Sequence, residues 1–252
     1  MEATQSQNEW ESYWHATSQL VARSDEDAAS IWDGDADVVA ARDLQRFRAI
    51  ADASLPLVDL GCGSGIQTRY LAGHFARMIG ADVSESALSI ARAQNPAANI
   101  EYRQLDVFDA ASVARLHAEV GDVNIYMRTL LHLVQPEGRP AFAASVSTLL
   151  GKRGTLYLHE LGGAAHAYFG GFIQRNGMPV RLARVLATGI RPGCVDREQV
   201  LSMFTPDRFE MVADGETSAE PVRVRVVGNP PRLAEEPWAP PAYFMVLKPR
   251  AQ

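Results

Sequence analysis

The sequence has little cysteine and no long hydrophobic run. Its two cysteines lack metal-ligand spacing and provide no disulfide framework, which favours a reducing compartment. No apolar stretch approaches the roughly 18 residues that a membrane-spanning helix needs. The polar segment from Met1 to Glu11 has no signal-peptide core. We therefore expect a soluble, cytoplasmic protein without a membrane partner.

Clustered basic residues and metal-ligand clusters are also missing. The net charge is −6 and the sequence pI is near 5.5, whereas nucleic-acid binding depends on clustered Lys and Arg. The densest basic group, Arg181, Arg184 and Arg191, alternates with apolar residues and predicts the solvated face of an amphipathic helix. No histidine and carboxylate cluster has convincing magnesium spacing. We expect a small-molecule substrate, no nucleic-acid partner and no metal, and a homodimer stays an open alternative.

The strongest signal is the run V-D-L-G-C-G-S-G from Val58 to Gly65, which follows apolar residues. This order predicts a buried strand, a glycine turn and a helix. Without a Cβ at Gly61, Gly63 and Gly65, the backbone can bend sharply and let a ligand lie against main-chain atoms. A dinucleotide pattern would require glycine where this chain has Ile66. The turn therefore favours a single nucleoside over a dinucleotide.

After the glycine turn, each of the next two predicted strands ends at an aspartate. Asp82 comes 19 residues after Gly63, which is close to the offset that places an acidic side chain on ribose hydroxyls. Asp106 closes the next predicted strand, where it can accept a hydrogen bond from an adenine amine. Ser84 is the better N-cap for the helix from Glu85 to Ala93, which leaves Asp82 available to a ligand.

On these residues the chain resembles the class I S-adenosylmethionine-dependent methyltransferases, whose first motif is an acidic residue followed by x-G-x-G-x-G. Asp59 to Gly65 matches that motif at every position. The resemblance implies S-adenosyl-L-methionine as the cofactor and covers the region from Leu55 to Glu160 well. The cofactor-binding residues that we predict are Asp59, Gly61, Cys62, Gly63, Gly65, Asp82, Val83, Asp106, Val107 and Arg128. Cys62 has no base partner nearby, so we interpret it as a small residue in a crowded turn.

The strand and helix signals alternate, which predicts an α/β fold with a doubly wound, Rossmann-like sheet of seven mostly parallel strands. Asp196, followed by Gln199, resembles a capping box at the start of a helix from Arg197 to Phe204. The family resemblance implies an antiparallel last strand pair. The predicted strands are 55–60, 76–82, 100–105, 122–127, 155–159, 209–214 and 242–248.

Two segments lie outside this pattern. We expect residues 1–50 to form an N-terminal helical cap over the cofactor and residues 51–252 to form the core. Within the core, residues 161–195 follow the fifth strand at the edge where ligands bind in open α/β sheets; in similar methyltransferases such an insertion forms a substrate lid. The candidate substrate-binding residues are Tyr13, Trp14, Tyr168, Phe169, Phe172 and Met178. Alternatively, the aromatic residues of the insertion pack its own small core, and the two roles are compatible.

The end of the fourth strand offers a general base. Arg128 to His132 resembles the R-x-x-L-H stretch of many small-molecule methyltransferases, and an imidazole with an ordinary pKa near 6.5 suits proton removal from a hydroxyl. His159 and Glu160, at the end of the fifth strand, are the next candidates; Glu160 could instead orient the lid. A carboxylic acceptor would need no base.

We interpret the sequence as a methyltransferase that acts on a small, largely apolar or aromatic metabolite, with oxygen as the favoured acceptor atom. Nitrogen, sulfur and carbon acceptors stay open. A dinucleotide oxidoreductase is disfavoured by Ile66, and nucleic-acid modification would need a basic groove. A non-catalytic module that keeps the nucleoside pocket would bind cofactor without turnover.

Overall fold

Short apolar runs that end in polar residues form the centre of the fold. The computed structural model describes residues 2–219 and 221–250. Its strands are β1 Leu57–Leu60, β2 Met78–Asp82, β3 Ile100–Gln104, β4 Asn124–Arg128, β5 Leu156–Glu160, β6 Phe209–Ser218, β7 Arg225–Val226, β8 Arg232–Leu233 and β9 Pro241–Pro249. Seven of these strands make one sheet in the order β3-β2-β1-β4-β5-β9-β6, and β7 pairs with β8. Strands β1 to β5 are parallel, and β9 runs antiparallel to both β5 and β6.

Helices connect the strands and cover both faces of the sheet. They are α1 Glu2–Ala22, α2 Ala36–Phe47, α3 Ile66–Leu71, α4 Glu85–Gln94, α5 Ala110–Val120, α6 Arg139–Leu150, α7 Gly163–Asn176, α8 Val180–Ala187 and α9 Arg197–Met203, with short 3-10 turns at Leu131–Leu133 and Pro136–Gly138. Side chains from α5, α6 and α9 pack on one face of the sheet. Side chains from α2 and α3 pack on the other. Among the residues described, no helix combines the length and hydropathy that crossing a membrane requires.

The predicted fold is confirmed, including the antiparallel last strand pair. The two predicted helix N-caps are also confirmed. The Ser84 hydroxyl accepts from the Ala87 N–H, and the Gln199 side chain accepts from the Asp196 N–H. Some strand limits differ. β1 begins at Leu57 since the Leu55 N–H donates to Asp52 in a turn. The pair β7–β8 was not predicted, because two-residue strands in an Arg- and Pro-rich segment carry no alternation to detect.

A third hydrophobic cluster lies away from the sheet and joins the N-terminal segment to the segments after β5. It contains Tyr13 and Trp14 from α1, Phe172 from α7, Leu182 from α8 and Trp238 from the loop before β9. Such a cluster fixes the position of segments that are far apart in sequence, since each segment can bury its apolar surface only against the others.

Arginines reinforce this junction. Arg184 donates to the backbone carbonyls of Asp27, Ala28 and Ala29. Arg181 donates to the carbonyl of Glu26. These two side chains are half-buried and bonded to the N-terminal segment, so the prediction of a solvated helix face is wrong for them.

A buried carboxylate fastens α2 to the sheet. Asp43 is fully buried and accepts from the hydroxyl groups of Tyr126 at 2.9 Å and Tyr157 at 2.6 Å. Arg46 and Arg128 add positive charge at 3.4 and 3.9 Å from its oxygens. Burial alone would raise the pKa of Asp43, but the neighbouring His159 ring, the Arg128 charge and the Tyr157 hydrogen bond outweigh it and lower the pKa to about 2.

We expect Asp43→Asn to lower the free energy of unfolding by about 2 kcal/mol at pH 7. The folded-state pKa lies below the unfolded-state pKa, so this stabilisation is present above about pH 4 and is lost as the pH falls towards 2. Urea unfolding should therefore show a stability difference between wild type and variant that shrinks from pH 7 to pH 3. Asp37→Asn, at an exposed position of the same helix, should change little at either pH. A difference for Asp43→Asn that does not depend on pH would contradict this role for the carboxylate.

Candidate active site

A cavity of about 830 Å³ opens at the carboxyl ends of β1, β2 and β4. The apolar strands bring the glycine turn and the acidic strand ends to one edge, as parallel connections require. Nine of the ten predicted cofactor-binding residues line this cavity: Asp59, Gly61, Cys62, Gly63, Asp82, Val83, Asp106, Val107 and Arg128. A cavity of this size is large enough for a nucleoside with an amino-acid tail.

The glycines of the turn have different roles. All three have a positive φ: 76° at Gly61, 52° at Gly63 and 77° at Gly65. A Cβ on Gly63 would lie 2.8 Å from the ring of Trp14, so α1 packs directly on the turn. A Cβ on Gly65 would lie 2.6 Å from the Tyr102 hydroxyl oxygen. Gly65 does not line the cavity, and its small size allows packing beneath the turn.

Asp82 joins the glycine turn to the start of α4. One carboxylate oxygen accepts from the Gly63 N–H and the other from the Ser84 N–H, each at 2.9 Å. Burial raises the pKa of Asp82, and the backbone hydrogen bonds offset part of that rise. Each oxygen keeps a lone pair after these bonds. The carboxylate is therefore held rigidly and can still accept hydrogen bonds from a ligand hydroxyl.

The other two predicted carboxylates also border the cavity. Asp106 uses Oδ1 to accept from the Phe108 N–H at 2.8 Å, and no bond to its Oδ2 is found within the described part of the chain. Asp59 accepts from the Thr68 hydroxyl at 2.5 Å. Burial raises the pKa of Asp59 to about 7, with the Asp82 charge adding to the effect. A cationic ligand would stabilise the ionised form of Asp59.

Cys62 fits the interpretation of a small residue in a crowded turn. Its side chain is buried, and burial together with the nearby carboxylates Asp82 and Asp59 raises the pKa of the thiol well above its ordinary value. A thiol held in its protonated form is a poor nucleophile.

Arg128 reaches the cavity from the end of β4. It donates from Nη1 to the carbonyl of Trp32 at 2.7 Å, which ties the N-terminal segment to the sheet. Thr129 follows with φ of 52°, a conformation that is strained for a β-branched residue. Its N–H donates to the His159 carbonyl at 2.7 Å. The turn after β4 is thus held in an unusual shape beside the cavity.

His132 and Glu160 form a fully buried pair. Nδ1 of His132 lies 2.8 Å from Oε2 of Glu160. Oε1 of Glu160 also accepts from the N–H groups of Leu130 and Leu131, at 2.7 and 2.5 Å. Burial alone would raise the pKa of Glu160, but the His132 ring and these N–H groups outweigh it and lower the pKa. An ionised Glu160 is only an acceptor, so Nδ1 of His132 is the donor in this hydrogen bond.

Nε2 of His132 is buried and has no hydrogen-bond partner within the described ranges. The residue does not line the 830 Å³ cavity. Its ring centroid lies 6.1 Å from that of Trp32, which does line it. His132 therefore lies close to the Trp32 side of the cavity without lining it, and Glu160 holds the turn that carries His132.

The side chain of His159 lies on the face of β5 opposite to that of Glu160. This side chain is fully buried near Asp43, with Nδ1 of His159 at 3.8 Å from Oδ1 of Asp43, and it lines neither of the two cavities described above. Burial lowers the pKa of His159, with the Asp43 carboxylate opposing that effect. This position does not suit a base that acts on an acceptor in the cavity. Adjacent residues of a strand face opposite sides of the sheet, which separates His159 from Glu160.

Of the six predicted substrate-binding residues, only Trp14 lines the large cavity. Phe169 lines a second, smaller cavity of about 40 Å³ together with Trp32, Asp33, Arg128 and Thr129. The others belong to the third hydrophobic cluster: Tyr13, Tyr168, Phe172 and Met178. Tyr168 and Phe172 pack against Trp238, which lies outside the insertion, so these residues pack a core that the insertion shares with other segments.

Sequence reasoning missed Asp33 and Gln67 in the cavity wall. Neither belongs to a motif with recognisable spacing, and Asp33 follows Trp32 in a segment without regular structure. Among the described residues, no group of three or more His, Cys, Asp or Glu side chains is placed to hold a metal ion.

Comparisons with known proteins place this arrangement among methyltransferases. A family model described as a methyltransferase domain matches residues 57–154. The crystal structure of a SAM-dependent methyltransferase from Anabaena variabilis is 38% identical, with a TM-score of 0.84, and the alignment covers 97% of this chain and 95% of that one. The structure of DhpI in complex with SAH, at 15% identity and a TM-score of 0.57 over 99% of this chain and 98% of its own, shows the same fold.

Curated relatives match over a shorter region. The ubiquinone biosynthesis O-methyltransferase of Sinorhizobium fredii is 33% identical over 107 residues. That alignment covers 38% of this chain and 43% of the relative, so the chain matches less than half of the relative's length.

We expect Asp82→Ala to weaken binding of S-adenosylhomocysteine by roughly 1.5–3 kcal/mol, because it removes a charge-assisted hydrogen bond to the ribose. Isothermal titration calorimetry measures this directly. Glu210→Ala, at an exposed position of β6, is the control and should bind as wild type does. Unchanged affinity in Asp82→Ala would contradict the ribose assignment.

Proposed function

Because the chain belongs to the SAM-dependent methyltransferases, we propose that it transfers the methyl group of S-adenosyl-L-methionine to an oxygen of a small, largely apolar or aromatic metabolite. The single observation that carries the choice of oxygen is the His132–Glu160 pair, whose imidazole ring lies 6.1 Å from the ring of Trp32, a residue that lines both cavities. A hydroxyl acceptor must lose a proton during transfer, and a neutral imidazole is suited to take it.

The carboxylates at the strand ends determine the cofactor position that we propose. Asp106 would accept from the adenine amine and Asp82 from the ribose hydroxyls, and the amino-acid end would lie along the glycine turn. Val83, Val107 and Cys62 would contact the rest of the nucleoside. When bound, the cofactor supplies an activated methyl group and a neutral thioether leaving group.

The protein's own contribution is positioning and proton removal. Glu160 would hold the imidazole in one tautomer and stabilise it when it gains the acceptor's proton, as a carboxylate does for a neighbouring histidine in other enzymes. It would act as a positioning residue. His132 lines neither cavity, so the acceptor would approach it from the side of Trp32, which lines both cavities and lies 6.1 Å from the imidazole ring.

The 40 Å³ cavity is the proposed place for the acceptor. Its wall is mostly apolar and includes Trp32, Leu161, Phe169 and Trp238. Arg128 and Thr129 form the polar part of this wall. An apolar wall suits a flat or greasy molecule and excludes water from the transfer. Because this cavity holds little more than water in the present state, the surrounding segments must move apart to admit a metabolite.

We propose that these segments are an N-terminal cap, residues 1–50, and a lid, residues 161–195, on a core formed by residues 51–252. Trp14 of the cap covers Gly63, and Glu11 accepts from the hydroxyls of Ser84 and Ser86 at 2.7 and 2.5 Å. The helix α2 is an exception within the cap, since its apolar side packs on the sheet. The relative named as an O-methyltransferase supports transfer to oxygen for this chain.

The test is transfer of an isotope-labelled methyl group to a panel of phenols, aromatic carboxylic acids, amines and thiols, with the products identified by mass spectrometry. Methylation of a phenolic or alcoholic oxygen would support the proposal. Methylation of amines or thiols alone would show that the acceptor atom is nitrogen or sulfur and not oxygen. Tight cofactor binding with no turnover on any acceptor would favour the non-catalytic module.

We expect His132→Asn to lower kcat for a hydroxyl acceptor by roughly 10²- to 10⁴-fold, because the base is lost. The asparagine amide can still donate to Glu160, which keeps the buried carboxylate paired. The measurements are steady-state kinetics with the best hydroxyl substrate and calorimetric binding of S-adenosylhomocysteine, which should not change.

His15→Asn is the matched control, since His15 is exposed on α1 and lines neither cavity. It should keep wild-type kcat. If His132→Asn folds, binds the cofactor and turns over a hydroxyl substrate at the wild-type rate, His132 is not the base.

A further inference from the structure

Asp33 lies where the two cavities meet. It lines both the 830 Å³ and the 40 Å³ cavity. Its Oδ2 accepts from the Ser30 N–H at 3.0 Å and from the Ser64 hydroxyl at 3.3 Å. Ser64 belongs to the glycine turn, so these bonds hold the carboxylate against the part of the site nearest to β1.

One carboxylate oxygen of Asp33 is still available. Within residues 2–219 and 221–250, no hydrogen bond to its Oδ1 is found, and no cationic side chain comes within ion-pair distance of it. The side chain is half-buried. Burial raises the pKa of Asp33. A carboxylate in this setting gains from a cationic ligand that replaces the lost water.

Arg128 supplies the opposite charge on the same wall. It also lines both cavities, and its Nη1 bond to the Trp32 carbonyl fixes the backbone one residue before Asp33. The segment is held on its other side by Gln67, which donates to the Gly34 carbonyl at 3.3 Å. An anionic and a cationic group are therefore presented from rigid backbone beside the glycine turn.

We propose that Asp33 binds the α-ammonium group of the cofactor's methionyl end, with Arg128 facing the α-carboxylate. Asp82 and Asp106 are assigned to the ribose and the adenine, which leaves Asp33, held at Ser64 of the glycine turn, and Arg128 for the amino-acid end. The N-terminal segment thus contributes a ligand to the cofactor as well as covering it. This inference depends on the cofactor and not on the acceptor atom.

The experiment compares three ligands by calorimetry: S-adenosylhomocysteine, its deaminated analogue 5′-S-(3-carboxypropyl)-5′-thioadenosine, and 5′-methylthioadenosine. The first has ammonium and carboxylate, the second has only carboxylate, and the third has neither. The variant Asp33→Asn keeps an acceptor for Ser30 and Ser64 but removes the charge. Asp37→Asn makes the same charge change four residues later at an exposed position.

We expect Asp33→Asn to weaken S-adenosylhomocysteine roughly 10- to 100-fold, which is the size of a charge-assisted hydrogen bond. Binding of the deaminated analogue and of 5′-methylthioadenosine should stay within about twofold of wild type, as should all binding to Asp37→Asn. Equal weakening of all three ligands would show that Asp33 only supports the loop. Unchanged affinity for all three would overturn the proposal as well.

The wild-type protein gives a second test that does not depend on the variant folding. It should bind S-adenosylhomocysteine roughly tenfold or more tightly than the deaminated analogue. Equal affinity for these two ligands would overturn the proposal. Failure to methylate any hydroxyl acceptor would contradict the proposed function and leave this binding comparison unaffected.

Discussion

The site depends on one carboxylate that holds three elements together. Asp82 accepts from the Gly63 N–H and from the Ser84 N–H, so the glycine turn and the start of α4 share an anchor at the end of β2. The Ser84 hydroxyl then donates to Glu11 of α1. Turn, helix and N-terminal segment are thereby placed around the cavity before any ligand arrives, which reduces the ordering cost of binding.

Several buried and half-buried carboxylates border the large cavity, and their shared negative charge favours a cationic ligand. Burial raises the pKa values of Asp33, Asp59 and Asp82, and all three border the same cavity. Each is more easily ionised beside a cation. A sulfonium cofactor with an α-ammonium group carries two positive charges and one negative charge. The electrostatics and the glycine turn therefore favour the same cofactor on independent grounds.

The sequence predicted the seven-stranded, mostly parallel sheet and nine residues that line the large cavity, because those features arise from local patterns. An apolar run, a glycine turn and an acidic residue at a fixed offset produce nearly the same local geometry wherever they occur. The aromatic residues were harder to place. Tyr168 and Phe172 lie in a segment whose composition fits a substrate pocket and a packed core equally well, and the structure puts them around Trp238.

The sequence by itself determined the class of cofactor and the carboxylates at the strand ends, since backbone conformation and strand ends are local properties. Only the tertiary structure decided which buried residues face the site. His159 and Glu160 are neighbours in sequence, yet one lies beside Asp43 and the other holds His132. Asp33 reaches the glycine turn because the N-terminal segment docks there. Such contacts join residues far apart in sequence, and the whole packing of the chain sets them.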